Sequence, residues 1–219
     1  MQVGDRDVDL DQAFDLLQAY AVEYADTVRF YDLAGDPEGQ PGPGGAADPV
    51  DAVTLSDIGR LIAINAALSA GDVATLMDID AAAEFAAVPA TARLEYCVPG
   101  SALYQAATAL YEKYRLAKGS NIGRAKRSKL LHLKRPWLVP IADTRVISVY
   151  HRQADSWAAR LGIPDGHWEA VREDLTAGTD DFKRLTTRLC DHQEPAVRRL
   201  GQLTNLRLLD ILAWMISDS

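Results

Sequence analysis

The sequence predicts an all-α fold of about nine to ten helices. Three observations carry this: apolar residues recur at intervals of three and four along most of the chain, strand-type alternation is nearly absent, and Gly or Pro punctuates the periodic segments. At 219 residues, the chain is long enough to bury a core without disulfide staples. Its 48% apolar and 25% charged content excludes a disordered, collagen-like or disulfide-scaffold class. No stretch approaches the roughly 20 consecutive apolar residues of a membrane span, since Asn65 and Asp210 interrupt the best candidates, so no membrane partner is expected.

Leu10, Ala13, Phe14, Leu17, Tyr20, Ala21, Tyr24, Val28 and Tyr31 keep helical spacing and predict one long helix over Asp9 to Tyr31. The N-terminal helix is thus expected to fill 1–34. Five Gly and four Pro in the fifteen residues Gly35 to Pro49 predict a flexible loop over 35–50, leaving 51–219 as a helical region. Thr54, Ser56 and Asp57 offer caps for a helix to about Ser69, carrying Ile58, Leu61, Ile62, Asn65 and Leu68 on one face. Short helices follow at Asp72 to Met77 and Ala81 to Ala87, and Ser101 opens one reaching about Lys118. Others are expected at Gly123 to Lys134, Asp143 to Leu161, Pro164 to Ala177, Thr179 to Asp191 and Thr204 to Ser217, with Gly162 and Pro164 in the usual Gly-last, Pro-first order.

Charge is unevenly spread. Residues 1–112 carry −15 and residues 113–219 carry +7, within a net −8. Lys113 to Arg135 holds nine basic residues and no acidic one. Such a run repels itself, and a polyanion that releases counterions on binding is one way to offset that cost. The simpler reading is a set of basic helix faces balanced by the acidic first half.

The segment Lys118 to Val146 is the most informative. A helix is expected to end near Lys118, Asn121-Ile122-Gly123 forms a tight turn, and a second helix begins at once, so that amides at its start face outward for a phosphate. Gly123 is followed twenty residues later by Asp143 within Ala142-Asp143-Thr144-Arg145-Val146. Over about forty residues, Lys113 to Arg152, this pattern resembles the helix-hairpin-helix DNA glycosylases of the endonuclease III type. The resemblance implies a helix-hairpin-helix over about 105–134 in a glycosylase-like helical domain, with double-stranded DNA as partner; the family's frequent cluster of four cysteines is missing here, so no cofactor is expected. It implies Asp143 as the catalytic carboxylate, stabilising positive charge on the sugar as the base departs. It makes Asn121, Ile122, Gly123, Arg124, Lys126, Arg127 and Lys129 the phosphate clamp. Asn121 stands in place of the family's first hairpin Gly, and Ala125 where bifunctional members carry a Schiff-base lysine, so the implied activity is monofunctional N-glycosylase. Trp137 and Tyr150 are candidates for stacking an extruded base. Lys129 to Pro136 is also similar to a stretch of an uncharacterised bacterial family, which implies no activity.

The bland reading of Asp143 is a helix cap ahead of Thr-Arg-Val-Ile, which makes the chain a non-catalytic binder of nucleic acid or protein. A third reading is a small-molecule or toxin-system protein whose basic helix meets its own acidic half. Cys97 and Cys190 lack CxxC spacing, the four histidines lack HxxxH or HExxH spacing, and Asp5 to Asp11 lacks the Gly and Glu of a calcium loop, so no metal is expected. Cys190-Asp191-His192 reads as a helix end, and His132 lies within the basic segment. The acidic N-terminus resembles no targeting signal, which makes the cytoplasm the expected location.

Overall fold

The computed structural model describes residues 1–32, 51–115 and 122–217. The predicted loop over 35–50 lies outside these, as does Asn121. The described residues form an all-α protein: β1 (Gln2–Val3), β2 (Arg6–Asp7), α1 (Leu10–Glu23), α2 (Ala25–Thr27), a π-helical turn (Val28–Asp32), α3 (Leu55–Ala63), α4 (Ala70–Asp78), α5 (Ala82–Ala87), a 3₁₀ turn (Leu94–Tyr96), α6 (Ala102–Arg115), α7 (Arg124–Lys134), α8 (Thr144–Leu161), α9 (His167–Ala177), α10 (Thr179–Cys190), α11 (Pro195–Leu200) and α12 (Asn205–Ile216). Among them, no helix is long and apolar enough to cross a membrane. The elements gather into two compact units, one formed by Met1–Val28 with Pro140–Ser219, the other by Arg29–Val139.

Local sequence sets most helix starts. Thr54 and Ser69 open α3 and α4 with capping boxes completed by Asp57 and Asp72, Thr204 caps α12, and Pro195 stands in the first turn of α11. Helix α8 ends at Gly162, which takes the left-handed conformation at φ 66°. The single long N-terminal helix expected to Tyr31 is instead broken at Tyr24, whose backbone leaves helical geometry at φ −115° and ψ 36°. The helix expected to reach Ser69 stops near Ile64, because Asn65 turns left-handed at φ 56°.

In the first unit, α12 is the apolar centre, packing against α1 and α8. Leu206, Leu208, Leu209, Ile211, Leu212, Ala213 and Ile216 are all buried, and each full Leu or Ile burial is worth about 1.5–3 kcal/mol. The β1–β2 hairpin joins this unit through its turn. Gly4 sits at φ 61°, its N–H donates to Asp174 on α9 at 2.7 Å, and its carbonyl accepts from Gln153 on α8 at 3.0 Å. A Cβ there would lie 2.5 Å from the Val149 carbonyl oxygen.

In the second unit, α7 is packed by α3 and α6, and its buried residues include the charged Arg127, Lys129 and Lys134 beside Leu130 and Leu131. Gly4→Ala combines left-handed strain with a backbone clash, so it should destabilise the chain by at least about 1–3 kcal/mol in urea unfolding; a loss under about 0.5 kcal/mol would show that the hairpin turn does not bear on stability.

Candidate functional site

The sequence-derived site begins at the start of α7. Ile122 is buried, while Gly123 is exposed and is the N-cap at φ −66° and ψ 173°. No side chain caps this helix start. A Cβ on Gly123 would meet nothing within 4 Å, so neither crowding nor backbone conformation within the chain requires glycine there.

The basic residues beyond it turn inward. Lys126 pairs with Asp72 at 2.8 Å. That ammonium, with the Ser69 backbone N–H, holds the Asp72 carboxyl down at about 2. Arg127 is buried with its guanidinium 4.2 Å from the centre of the Tyr111 ring, a cation–π contact. Lys129 is buried, donating through Nζ to the Ile64 carbonyl at 3.0 Å, and its own carbonyl accepts from the Tyr31 hydroxyl. Lys134 and Asp57 form an ion pair at 2.5 Å with both side chains buried. Arg135 is fully buried, and its guanidinium donates to the carbonyls of Phe85, Val88 and Lys134 and to Asp51. His132 is buried with Nδ1 2.7 Å from the Val139 carbonyl, and stacks near Tyr31. At the other end of the run, Lys113 pairs with Glu84 and Arg115 with Glu112. Arg124 is half-buried.

Folding also redistributes the charge. The Arg29–Val139 span carries twelve acidic and twelve basic residues, so it is neutral, and the whole net −8 falls in the other unit. The +7 of residues 113–219 therefore corresponds to no cationic unit.

Asp143 belongs to the Met1–Val28 and Pro140–Ser219 unit. It is the N-cap of α8, and its Oδ1 accepts from the amides of Arg145 and Val146, each at 3.1 Å. Arg145 lies over the Trp214 ring at 4.1 Å, and Tyr24 meets the same ring edge-on. Tyr150, a stacking candidate, is buried at 1% exposure against His167, and burial with the nearby Asp174 carboxylate pushes its hydroxyl well above the usual range. It presents no open face to a base. Trp137, the other candidate, is 37% exposed in the second unit, with the Arg93 guanidinium 4.7 Å from its ring centre.

Residues 50–217 match a family model described as a family of unknown function. The chain belongs to the DUF6308 family. No curated protein and no solved structure matches this DUF6308 chain. The matched span contains the α7 ion pairs and Asp143, and Gly4 lies outside it.

One site in this DUF6308 chain has no counterpart in the sequence reading: the Asp174 carboxylate, 2% exposed, beneath the Gly4 turn and beside Tyr150 and Gln153. Burial pushes it up to about 6, against the lowering effect of the Gly4 N–H and the two side chains. A perturbed buried carboxylate is a signature shared by functional sites and structural polar networks. Among the described residues, no group of His, Cys, Asp and Glu is arranged to hold a metal ion.

Two outcomes follow from these placements. Lys134→Met strands the buried Asp57 carboxylate and should cost about 3–5 kcal/mol in urea unfolding, while Lys183→Met at an exposed position stays within about 0.5 kcal/mol. Equal losses would show that the pair is not a structural constraint. Asp174 binds its proton more tightly folded than unfolded, so its contribution to stability is full below about pH 4 and is lost as pH rises through about 6. The stability of wild type relative to Asp174→Asn should accordingly fall between pH 4 and 7, and a difference independent of pH would refute the shift.

Proposed function

We propose that this DUF6308 chain is a non-catalytic helical binding protein in which Asp143 is a helix cap and the basic residues of α7 build the interior of their own unit. The observation that carries the reading is the pair of amides, Arg145 and Val146, on the Asp143 carboxylate. A carboxylate committed to two N–H groups at a helix start is the ordinary cap, worth about 1 kcal/mol. The internal partners of Lys126, Arg127, Lys129, Lys134 and Arg135 support it further, because cations already engaged release few counterions on meeting a polyanion. Cys97 and Cys190 form no disulfide, which supports a cytoplasmic location.

The likeness to helix-hairpin-helix glycosylases supports a second reading, a monofunctional N-glycosylase on double-stranded DNA with Asp143 as its carboxylate. The exposed start of α7 at Gly123, which no side chain caps, favours it, since such amides donate to a phosphate oxygen.

One series of variants separates the two. On the cap reading, Asp143→Ala loses about 1 kcal/mol of stability, Asp143→Asn stays within about 0.5 kcal/mol because Asn also caps, and neither wild type nor variant releases a base from lesion-bearing duplexes. Base release by wild type that Asp143→Asn abolishes would overturn the cap reading in favour of the glycosylase. Duplex affinity that falls steeply as salt rises would point to the phosphate clamp, and a flat dependence would remove it.

A further inference from the structure

A cavity of about 380 Å³ opens in the Arg29–Val139 unit between the end of α5, the 3₁₀ turn and the start of α6. Ala87, Ala92 and Ala102 leave the space, and Pro89, Arg93, Tyr96 and Leu103 wall it. Its volume falls in the range of pockets that hold a small organic ligand, and much of it is open to solvent.

We infer that this cavity binds an uncharged planar aromatic heterocycle of one or two rings. The lining selects against charge: its single charged side chain, Arg93, is paired with Glu95 at 2.9 Å and lies over Trp137, so a charged ligand would lose hydration without gaining a counter-ion. The lining favours a flat ring, because Tyr96 is 71% exposed, far more than an aromatic side chain serving the core, and it stands beside a guanidinium held in place by an aromatic face. Thr91 brings to the lining a hydroxyl that can both donate to and accept from a ring heteroatom. The rim is fixed, since the Leu94 N–H donates to the Trp137 carbonyl at 2.9 Å and ties the 3₁₀ turn to the segment after α7. Every residue used here lies in one unit, so the inference stands whether Asp143 caps or catalyses.

The test titrates the full chain with adenosine, caffeine and indole by calorimetry, and follows the Trp137 indole N–H by NMR. At least one neutral probe should bind more tightly than about 1 mM and move that signal. Tyr96→Ala and Ala102→Trp, both at exposed positions, should retain the wild-type circular-dichroism melt and weaken that probe at least about tenfold. Adenosine monophosphate should bind at least about tenfold more weakly than adenosine. Failure of all three probes, affinity unchanged in both variants, or preference for the monophosphate would each overturn the assignment.

Discussion

The second unit depends on the neutralisation of α7 by acidic residues distant in sequence. Lys126 meets Asp72, Lys134 meets Asp57 and Arg135 meets Asp51, and two of these carboxylates also close the capping boxes of α3 and α4. One carboxylate thus fixes where a helix starts and what that helix packs against. Arg135 extends this to the backbone, because its guanidinium donates to the Val88 carbonyl just after α5 and adds a second donor to the Phe85 carbonyl, which also accepts from the Val88 N–H. A charged centre of this kind is costly to desolvate, and it holds only when nearly every donor finds an acceptor.

The first unit solves the same problem differently. Its central helix, α12, is apolar on most sides, so burial supplies the stability, and polar groups enter at single points such as Asp210 with the Ile141 N–H and Arg207 with the Tyr20 hydroxyl. Asp174 is the exception, a carboxylate placed in a poorly hydrated position to receive the Gly4 turn. Stability there depends on protonation, whereas in α7 it depends on pairing.

The features legible in the sequence are the local ones. The three-and-four spacing gave the all-α class, and Thr54, Asp143, Thr204 and Gly162 marked helix ends because capping acts within four residues. That the acidic first half could balance the basic run was legible, but which carboxylate meets which cation was not, since Lys126 and Asp72 are 54 residues apart and no spacing rule links them. The β1–β2 hairpin escaped because two-residue strands are too short to alternate, although Gly4-Asp5 is a turn dipeptide. Helix α11 escaped despite Pro195, as six residues hold too few apolar positions to define a period. Tyr150 and Trp137 both lie within seven residues of Asp143 in sequence, and only burial tells them apart.

The buried amines of Lys129 and Lys134 carry a chemical corollary. A lysine enclosed beside a carboxylate or carbonyl is screened from electrophiles, so acylating reagents that modify the surface Lys183 reach these two only when their helix opens. Covalent labelling at two positions would then serve as a gauge of how often this charged interior comes apart.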